Sequence, residues 1–378
     1  MQLFESSMDE VGFFNSIAVT GLGLIGGSMV KALRLNGYTG SVIGIDPDSE
    51  TRKLAEASGL FEMVLENVSE SSSQVDLLIL AVPLGRFAEA LRVASHLIGP
   101  DTLVTDAGSV KTTVHRMTEK IFESTISFIG GHPMAGSDRS GFSSASPILF
   151  ENAYYFLTLG SHFQKKQLMK LQSLVKMIGA IPVITTPAEH DALVVQLSHL
   201  PHLAACALVS TFKQHHPEDS LKFAGSGFRD TTRIAMGEPE LWRDIFIQNK
   251  QQLSIGIDGL IDELLKFKLL LMNENHEEIK NNLIRTQKTR SSLAARRPSA
   301  ESSLYPIILD VEDKPGILAT VTGLFAEQQL NIKDIALDHA RETLPGALIL
   351  SFATNAERTR AIAIVKGANL CEVYIEQD

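Results

Sequence analysis

The sequence predicts three folding units: an α/β domain with a parallel sheet, an all-helical domain and a small α+β domain. Short apolar strands alternate with helical patterns from residue 15 to 186, and strand patterns are missing from 187 to 284. A βαββαβ pattern then occupies residues 304–378. Between these, residues 285–303 are rich in serine and basic residues, which predicts a flexible linker.

The first βαβ unit carries a glycine motif between strand Ile17–Thr20 and a helical run that ends near Gly37. In Gly21-x-Gly23-x-x-Gly26, the first glycine makes a tight turn and the second lets the backbone approach a pyrophosphate. The third packs the helix on the strand. Phosphates would sit at the helix N-terminus, where unpaired N–H groups and the helix dipole favour anions.

A second strand, Ser41–Ile45, ends at Asp46, twenty positions after Gly26 and in place for the ribose hydroxyls. The pattern therefore predicts a Rossmann domain that binds NAD over residues 15–186. A glycine-rich turn without a ligand is the alternative. The residues expected around the cofactor are Gly21, Leu22, Gly23, Leu24, Ile25, Gly26, Asp46, Val82 and Pro83.

Further β and α patterns extend this domain. The predicted strands are Val75–Val82, Thr102–Thr105, Ser127–Ile129, Tyr154–Leu159 and Ile181–Ile184. The predicted helices are Arg86–Leu97, one from about Lys111, and Lys165–Ile178. Ligands bind beyond the carboxyl ends of the strands in such sheets, so the loops Pro83–Arg86, Asp106–Lys111 and Gly130–Gly141 are the candidates for a site.

The region 187–284 reads as a helical substrate and dimerisation domain, with a kink at Pro201. A long apolar helix over Leu241–Leu271 would leave hydrophobic surface exposed if the chain were alone. A second subunit is therefore expected to cover it, which predicts a homodimer.

The third unit reads as a ferredoxin-like domain. Its predicted strands are Leu304–Val311, Ile332–Leu337, Ala347–Phe352 and Glu372–Ile375, and its helices are Ile317–Gln328 and Ala356–Val365. The basic linker before it has no aromatic residues, so a mobile connection is favoured over a nucleic-acid patch.

Composition excludes several classes of function. The net charge of −10 and the pI near 5.6 argue against nucleic-acid and anionic-membrane partners. The uncharged stretch Val11–Val30 has the length of a membrane span, but its five glycines fit a strand, turn and helix better.

Cys206 and Cys371 lie in separate apolar stretches and read as buried free thiols of a reducing compartment. A cytoplasmic protein is expected.

His132 lies in the loop predicted after strand Ser127–Ile129. A histidine there can take a proton from a hydroxyl as hydride leaves the same carbon, because its pKa is near neutrality. A loop histidine bonded to its own backbone is the alternative. In the preceding loop, Ser109 can bond a substrate hydroxyl or cap the next helix.

Two further groups carry chemistry. His199 and His202 share one helical face, but no third ligand has convincing spacing for zinc, so a substrate contact or a polar pocket is favoured. Arg233 follows Gly225-Ser-Gly227 and can clamp a carboxylate, or it can form a surface pair with an aspartate such as Asp230.

Together these motifs resemble those of the prephenate dehydrogenases of tyrosine biosynthesis. The likeness spans roughly residues 16–285 and rests on GLGLIGGS, DAGSVK, GGHPMAGS, SHLPH, GFRDTTRIA and LWRDIF. The segment from Leu304 resembles an ACT domain, an amino-acid-sensing module, through DKPGIL (Asp313–Leu318) and Leu330-Asn331-Ile332.

The resemblance implies roles for these residues. His132 would be the general base, and Ser109 would be its partner on the ring hydroxyl. Arg233 would bind a substrate carboxylate, with His202 lining the pocket and His199 close by.

The same resemblance places other residues. Trp242 would stand near the site, approaching it from the same or from the neighbouring subunit. Ser137 and Asp138 would contact substrate, with Asp138 at a position where several relatives carry glutamate in an ion-pair network. The shorter acid would favour a substrate that bears an amine. In the ACT-like domain, Gly316, Ile317 and Asn331 would bind tyrosine as effector.

The implied activity is the oxidative decarboxylation of prephenate to 4-hydroxyphenylpyruvate with NAD, without a metal and regulated by tyrosine. Arogenate is the alternative substrate. A nucleotide-bound amino-acid sensor without turnover is a second alternative, although such a protein is expected to lack the base or the arginine. A general hydroxy-acid dehydrogenase would share the fold but not Ser109, His132 and Arg233 in these contexts.

Overall fold

The computed structural model of the chain divides into two compact units, Met1–Ser292 and Leu293–Asp378. The structure describes residues 13–68, 73–122, 126–136, 139–160, 163–294, 305–311, 314–338, 346–368 and 372–374. Of the residues singled out from sequence, Ser137, Asp138, Asp313 and Cys371 lie outside these ranges.

An eight-stranded sheet forms the centre of the first unit, in the order β3-β2-β1-β4-β5-β6-β7-β8. Its strands are β1 Ser16–Thr20, β2 Ser41–Ile45, β3 Met63–Leu65, β4 Leu77–Leu80, β5 Leu103–Asp106, β6 Ser127–Pro133, β7 Tyr154–Leu159 and β8 Ile181–Thr185. The first six follow the order of a dinucleotide-binding sheet, which confirms the predicted Rossmann domain. Strand β3 was not predicted because it has only three residues.

The sheet is mixed, although the alternating pattern predicted a parallel one. Strand β7 runs antiparallel to β6, and every other neighbouring pair in this sheet is parallel. A parallel neighbour needs a crossover, usually a helix. In the described part of the β6–β7 connection, the one helical element is the 3₁₀ turn Phe142–Ser144, so β7 returns beside β6 in the opposite direction.

Two hydrophobic cores cover the two faces of this sheet. The helices packed there are α1 Leu24–Leu35, α2 Ser49–Ala57, α3 Phe87–Val93, α4 Thr112–Phe122 and α5 Lys165–Met177. Helix α3 is flanked by two 3₁₀ turns: Leu84–Arg86 lies in the predicted loop Pro83–Arg86, and Ala94–Leu97 ends the predicted helix Arg86–Leu97. Helix α2, which contains Arg52 and Lys53, was expected after Asp46 without defined bounds.

Helices replace strands after β8, as predicted. They are α6 Pro187–Val194, α7 Leu200–His215, α8 Ser226–Thr232, α9 Pro239–Gln248, α10 Lys250–Met272 and α11 His276–Ala294. A π-helical turn, Val195–His199, joins α6 to α7. The irregularity predicted at Pro201 is therefore found just before it, because proline lacks the N–H that a regular α-helix would use at that point.

Two predicted boundaries in this region are wrong. The helix predicted over Leu241–Leu271 is broken at Asn249, between α9 and α10. The side-chain amide of Asn249 is buried there and donates to the carbonyl oxygen of Asp191 at 3.0 Å. Helix α11 also continues to Ala294, so residues 285–294 of the predicted linker are helical.

The run 187–215 is long and apolar enough to cross a membrane by length and composition alone, with a mean hydropathy of 1.6. Two of its polar residues nevertheless contact the sheet domain. The carboxylate of Asp191 accepts hydrogen bonds from the backbone of α4 and of the residue before it, and His190 contacts β6. These contacts make it a packed helix of the first unit.

The second unit is a four-stranded antiparallel sheet in the order β10-β11-β9-β12. Its elements are β9 Tyr305–Val311, α12 Ile317–Glu327, β10 Asp334–Asp338, β11 Gly346–Phe352, α13 Asn355–Ala368 and β12 Glu372–Tyr374. A separate core, including Phe325 and Phe352, joins sheet and helices. The predicted βαββαβ topology is confirmed.

Candidate active site

The glycine turn after β1 has the features that a bound dinucleotide requires. Gly21 has φ +88°, and a Cβ there would overlap the carbonyl oxygen of Ala81. A Cβ at Gly26 would overlap the carbonyl oxygen of Gly21. At Gly23, by contrast, no described heavy atom lies within 4 Å of the Cβ position. The turn is therefore tight on its inner side and open at Gly23, where a pyrophosphate would approach.

Helix α1 begins beside that opening. Its N-cap is Gly23, which forms no side-chain cap, and its first turn has no acidic residue. The N–H groups of Leu24, Ile25 and Gly26 therefore face no intrahelical acceptor and no carboxylate of that turn, an arrangement suited to an anion. Val82, in the loop after β4, packs against the same turn, since its Cγ1 lies 2.9 Å from a Cβ built at Gly21.

Asp46 is at the end of β2, as predicted, and is 9% exposed. Its Oδ2 accepts a hydrogen bond from Leu22 N at 2.8 Å, and its Oδ1 accepts one from Asp48 N at 2.9 Å. The carboxylate thus joins the end of β2 to the glycine turn. Each oxygen keeps a lone pair for ribose hydroxyls.

His132 is the penultimate residue of β6, at the edge where the parallel strands β1, β4, β5 and β6 end. It is placed in the strand rather than in the predicted loop, because pairing with β7 extends β6 through Pro133. The ring does not bond its own backbone. Its Nδ1 lies 2.7 Å from Nε2 of His190.

His190 and Asp191, in the first turns of α6, continue this contact into the protein. Nδ1 of His190 lies 2.9 Å from Oδ1 of Asp191. The same oxygen accepts from Lys111 N at 2.7 Å, and Oδ2 accepts from Thr112 N at 2.8 Å. The carboxylate therefore caps α4, so the alternative capping role of Ser109 is taken by Asp191. No described residue hydrogen-bonds the Ser109 hydroxyl.

A buried ion pair lies under the two loops that end β5 and β6. The ammonium of Lys111 donates to the carboxylate of Asp106 and, at 2.6 Å, to the carbonyl oxygen of Gly131. Asp106 in turn accepts from Gly131 N at 3.0 Å and from Gly108 N at 2.9 Å. These bonds tie the Ser109 loop to the strand that carries His132.

Burial makes the histidines of this site poor proton binders at neutral pH. Burial lowers the pKa of His132 well below its ordinary value, and the nearby His190, Lys111 and His199 oppose a positive charge on the ring further. Burial also lowers the pKa of His190 and outweighs the opposing effect of its bond to Asp191. His132 is therefore neutral at pH 7 and free to accept a proton.

Comparison with known proteins identifies the family. Residues 29–184 match the family model described as prephenate dehydrogenase, nucleotide-binding domain, and residues 186–285 match its dimerization domain. Residues 307–366 match an AHAS small subunit-like ACT domain. The prephenate dehydrogenase of Bacillus subtilis (strain 168) is 35% identical over 356 residues, which cover 92% of this chain and 94% of that protein. The chain belongs to the prephenate dehydrogenase family.

Solved structures agree with this assignment. Prephenate dehydrogenase from Aquifex aeolicus, crystallised with hydroxyphenyl propionate and NAD⁺, is 31% identical with a TM-score of 0.69. The match covers 74% of this chain and 98% of that chain. Synechocystis arogenate dehydrogenase is 29% identical with a TM-score of 0.64, over 74% of this chain and 99% of that one. The chain is an NAD-dependent dehydrogenase, and the predicted cofactor is confirmed.

The other histidines expected from the family motifs lie close to the same site. His199 is buried, and its Nδ1 lies 3.4 Å from the Asn249 amide that also bonds Asp191. Burial lowers the pKa of His199 to about 4. His202 stacks on Trp242 of the same chain, with ring centroids 3.6 Å apart and planes at 15°. The described residues contain no cluster of three metal-ligand side chains.

Arg233 begins a 3₁₀ turn, Arg233–Met236, that packs against α7. Its guanidinium is exposed, and no ion pair joins it to Asp230 or to another described carboxylate. At the end of the turn, a Cβ at Gly237 would contact both Trp242 and His202. The turn therefore places an exposed cation on the segment next to the stacked rings.

Sequence reasoning missed His190, Asp191 and Asn249. Lys111 was noticed only as the end of a loop. The available signal was the pair His190-Asp191 in the first turns of an otherwise apolar helix, since buried polar residues need partners. Those partners lie on α4 and β6, some 60 to 80 residues away in sequence, so no local pattern could identify them.

Proposed function

We propose that this member of the family oxidatively decarboxylates prephenate to 4-hydroxyphenylpyruvate and reduces NAD. The observation that carries the proposal is His132, a buried neutral histidine at the carboxyl edge of the sheet, where the glycine turn also lies. The 35% identity to the B. subtilis enzyme along nearly its whole length supports the choice of substrate. Cys206 is a free thiol that is half-buried rather than buried as predicted, and a free thiol supports a reducing, cytoplasmic setting.

NAD, when bound, supplies the hydride acceptor. His132 accepts the proton of the ring hydroxyl while Ser109 holds that hydroxyl in place. Loss of carbon dioxide then makes the ring aromatic. The overall reaction releases no proton, so His132 gives the proton back as the phenol forms. Because the neutral and charged forms of His132 alternate, a pKa below the ordinary value favours the form that starts the cycle.

Substrate binding is assigned to the residues around α7. Arg233 would bind a substrate carboxylate, with His202 and Trp242 forming one wall and His199 a polar contact at its base. Ser137 and Asp138 are proposed to contact substrate on the strength of the family resemblance. Arg233, His202, Trp242 and His199 lie within one structural unit, and Arg233 is exposed, which leaves it available for a carboxylate.

Arogenate is the second candidate substrate, because the fold is also similar to that of an arogenate dehydrogenase. Steady-state kinetics with purified protein, using prephenate and arogenate each with NAD, decides between them. Higher kcat/KM with prephenate supports the proposal. Higher kcat/KM with arogenate assigns the amine-bearing substrate instead, and no turnover of either supports a sensor.

NAD is expected to be preferred over NADP. A 2′-phosphate would meet the Asp46 carboxylate, and like charges in a partly desolvated pocket repel. Arg52, on α2, is already bonded to the carbonyl oxygens of Asp46 and Pro47 and to Glu66. We expect kcat/KM to be at least about tenfold higher with NAD than with NADP. This ratio needs a difference of only about 1.4 kcal/mol in activation free energy between the two cofactors.

The matched variant is Asp46→Asn, which removes the charge and keeps the size. We expect this variant to lower the ratio of kcat/KM with NAD to kcat/KM with NADP, mainly because kcat/KM with NADP rises. Equal efficiency of the two cofactors in the wild type would mean that Arg52 leaves its partners for the phosphate.

We further propose that the ACT-like domain binds tyrosine and inhibits the enzyme. Gly316 has φ +90° and forms the N-cap of α12 without a side-chain bond, and a Cβ there would meet no described atom within 4 Å. An open helix N-terminus of this kind suits the carboxylate of an amino acid. Ile317 and Asn331 are proposed as neighbouring contacts.

A chain ended after Ala294, where α11 ends, is expected to keep its activity and lose tyrosine inhibition. Relatives of this length support the design, since the A. aeolicus chain matches 74% of this one over 98% of its own length. An unchanged response to tyrosine in the shortened chain would place the inhibitor in the active site.

In the full chain, Gly316→Ala should weaken inhibition, because φ +90° is strained for alanine. Gly323→Ala, inside α12, is the control that should leave inhibition intact. Coupling must be reciprocal, so prephenate should weaken tyrosine binding by the same factor.

We propose that the active form is a homodimer. Helix α10 exposes Ile255, Leu264, Leu269, Leu271 and Met272 by 61% to 75%. Exposed apolar side chains in this number along one helix are typical of a subunit interface, and the region matches a dimerization domain.

A further inference from the structure

Two buried groups behind His132 are left unexplained by the assignment of His132 as base. His190 has no exposed surface and Asp191 is 2% exposed. Burying an imidazole and a carboxylate is costly unless each is hydrogen-bonded. Here the three side chains form one line, with His132 at the site and Asp191 at the inner end.

The inner end of this line fixes the direction of its hydrogen bonds. Burial raises the pKa of Asp191, but the bonds from His190 and from the backbones of Lys111 and Thr112 outweigh burial and hold it below the ordinary value. Asp191 is therefore a carboxylate, which can only accept. Nδ1 of His190 must donate to it, and since His190 is neutral, its Nε2 carries a lone pair.

That lone pair determines the tautomer of His132. Nδ1 of His132 lies 2.7 Å from Nε2 of His190 and must be the donor. The proton of neutral His132 is then on Nδ1, and its Nε2 is the free acceptor. The opposite tautomer would place two lone pairs against each other at this distance.

The geometry assigns His190 and Asp191 as positioning residues that hold His132 in the tautomer whose Nε2 can accept a proton. They also share the charge once that proton arrives, because His132 can pass its Nδ1 proton to His190 beside the Asp191 carboxylate. This inference rests on the proposed function in taking His132 as the base.

Other charges face the line and do not replace it. The cation Lys111 acts on both histidines, and its ammonium is engaged by Asp106. His199 adds a neutral ring near Asp191 through the Asn249 amide. Asp191 is therefore the carboxylate that directly bonds the two-histidine line.

A purely structural role is the competing explanation, because Asp191 also caps α4. Two variants separate the roles. In Asp191→Asn, the side-chain amide can donate a hydrogen bond, so Nδ1 of His190 is no longer forced to be a donor. The same substitution also disturbs the cap of α4. His190→Gln leaves the cap intact and breaks the connection between His132 and Asp191. If the two variants have the same effects, the cause is the broken hydrogen-bonded line from His132 to Asp191 and not the disturbed cap of α4.

The first experiment needs no substrate. With ¹⁵N-labelled histidine in the full-length protein, NMR reports which ring nitrogen of His132 is protonated, and His132→Asn identifies its signals. The wild type should show His132 protonated on Nδ1 at neutral pH, and both variants should shift it toward the Nε2-protonated form. A His132 tautomer that is unchanged in both variants would overturn the inference.

The second experiment is the pH dependence of kcat/KM. Both variants should lower kcat by about 10²-fold or more with a smaller change in KM, because the wrong tautomer offers no lone pair. The acid limb of the kcat/KM profile should move to lower pH in Asp191→Asn, since an imidazolium without the carboxylate is less stable. The double variant should lose no more than the worse single variant. A fall in kcat with an unmoved limb would indicate a structural role.

His115→Gln is the matched control. His115 is a second buried histidine of the same domain, bonded to Thr158 Oγ1 at 2.9 Å, and burial lowers its pKa to about 4. Its loss should change thermal stability but neither the His132 tautomer nor the acid limb. If the wild type turns over neither prephenate nor arogenate, the proposed function fails, and the NMR result still tests the positioning role.

Discussion

Replacement of His132 by asparagine is expected to lower kcat by about 10²–10⁴-fold, the usual contribution of a general base. Asparagine keeps a hydrogen-bonding group of similar reach but cannot accept a proton at neutral pH. KM should change much less, because the hydroxyl still has a partner. Steady-state kinetics with prephenate and saturating NAD measures both constants.

The pH profile makes this result specific. His132 must be neutral to act, and its pKa is lowered, so the wild-type kcat/KM should stay level down to about pH 6.5 and fall only below that value. His132→Asn should lose this limb, whereas the His115→Gln control should keep it. A near-normal kcat or an unchanged limb in His132→Asn would assign the proton to another group, with His199 and His202 the next candidates.

Replacement of Arg233 by alanine should affect KM more than kcat, unlike the replacement of His132. The guanidinium is proposed to face a carboxylate that is already charged in the ground state, so its loss should weaken substrate binding throughout the reaction. We expect KM for prephenate to rise about ten- to hundredfold, the range of a hydrogen bond to a charged group. kcat should suffer less, and the affinity for NAD should be unchanged.

Arg229→Ala provides the matched control, because Arg229 is also exposed and lies four positions earlier, on α8. It should leave KM close to the wild-type value. If both variants raise KM equally, the arginines act through a general positive field. If Arg233→Ala lowers kcat as strongly as it raises KM, Arg233 acts in the transition state.

Much of the cofactor site was predictable because its determinants are local. The turn of Gly21, the open position at Gly23 and the acid at Asp46 lie within one βαβ unit. Sequence distance and spatial distance agree there, and the same holds for the βαββαβ unit after the linker. His132 was found for a related reason, since the carboxyl ends of parallel strands share one edge.

The surroundings of His132 were not predictable in the same way. Its partner His190 is 58 residues further along the chain, and the backbone partners of Asp191 are about 80 residues earlier. Asn249 lies in a stretch with a helical pattern, yet the helix breaks there to place its amide beside Asp191 and His199. Tertiary hydrogen bonding overrides local propensity at these positions.

The π-helical turn Val195–His199 changes the angle about the helix axis between two chemically distinct histidines. Nine positions separate His190 from His199, a spacing that would put them on opposite faces of a helix with 3.6 residues per turn. The wider turn between them reduces this angle, and His190 reaches β6 while His199 and the backbone of Asp191 share the Asn249 amide. The rotation of this helix about its axis therefore sets how the residues after the turn are oriented relative to His190 and its partner His132. Deletion of one residue from Val195–Ser198 would rotate His202 relative to His132, although both histidines would be retained.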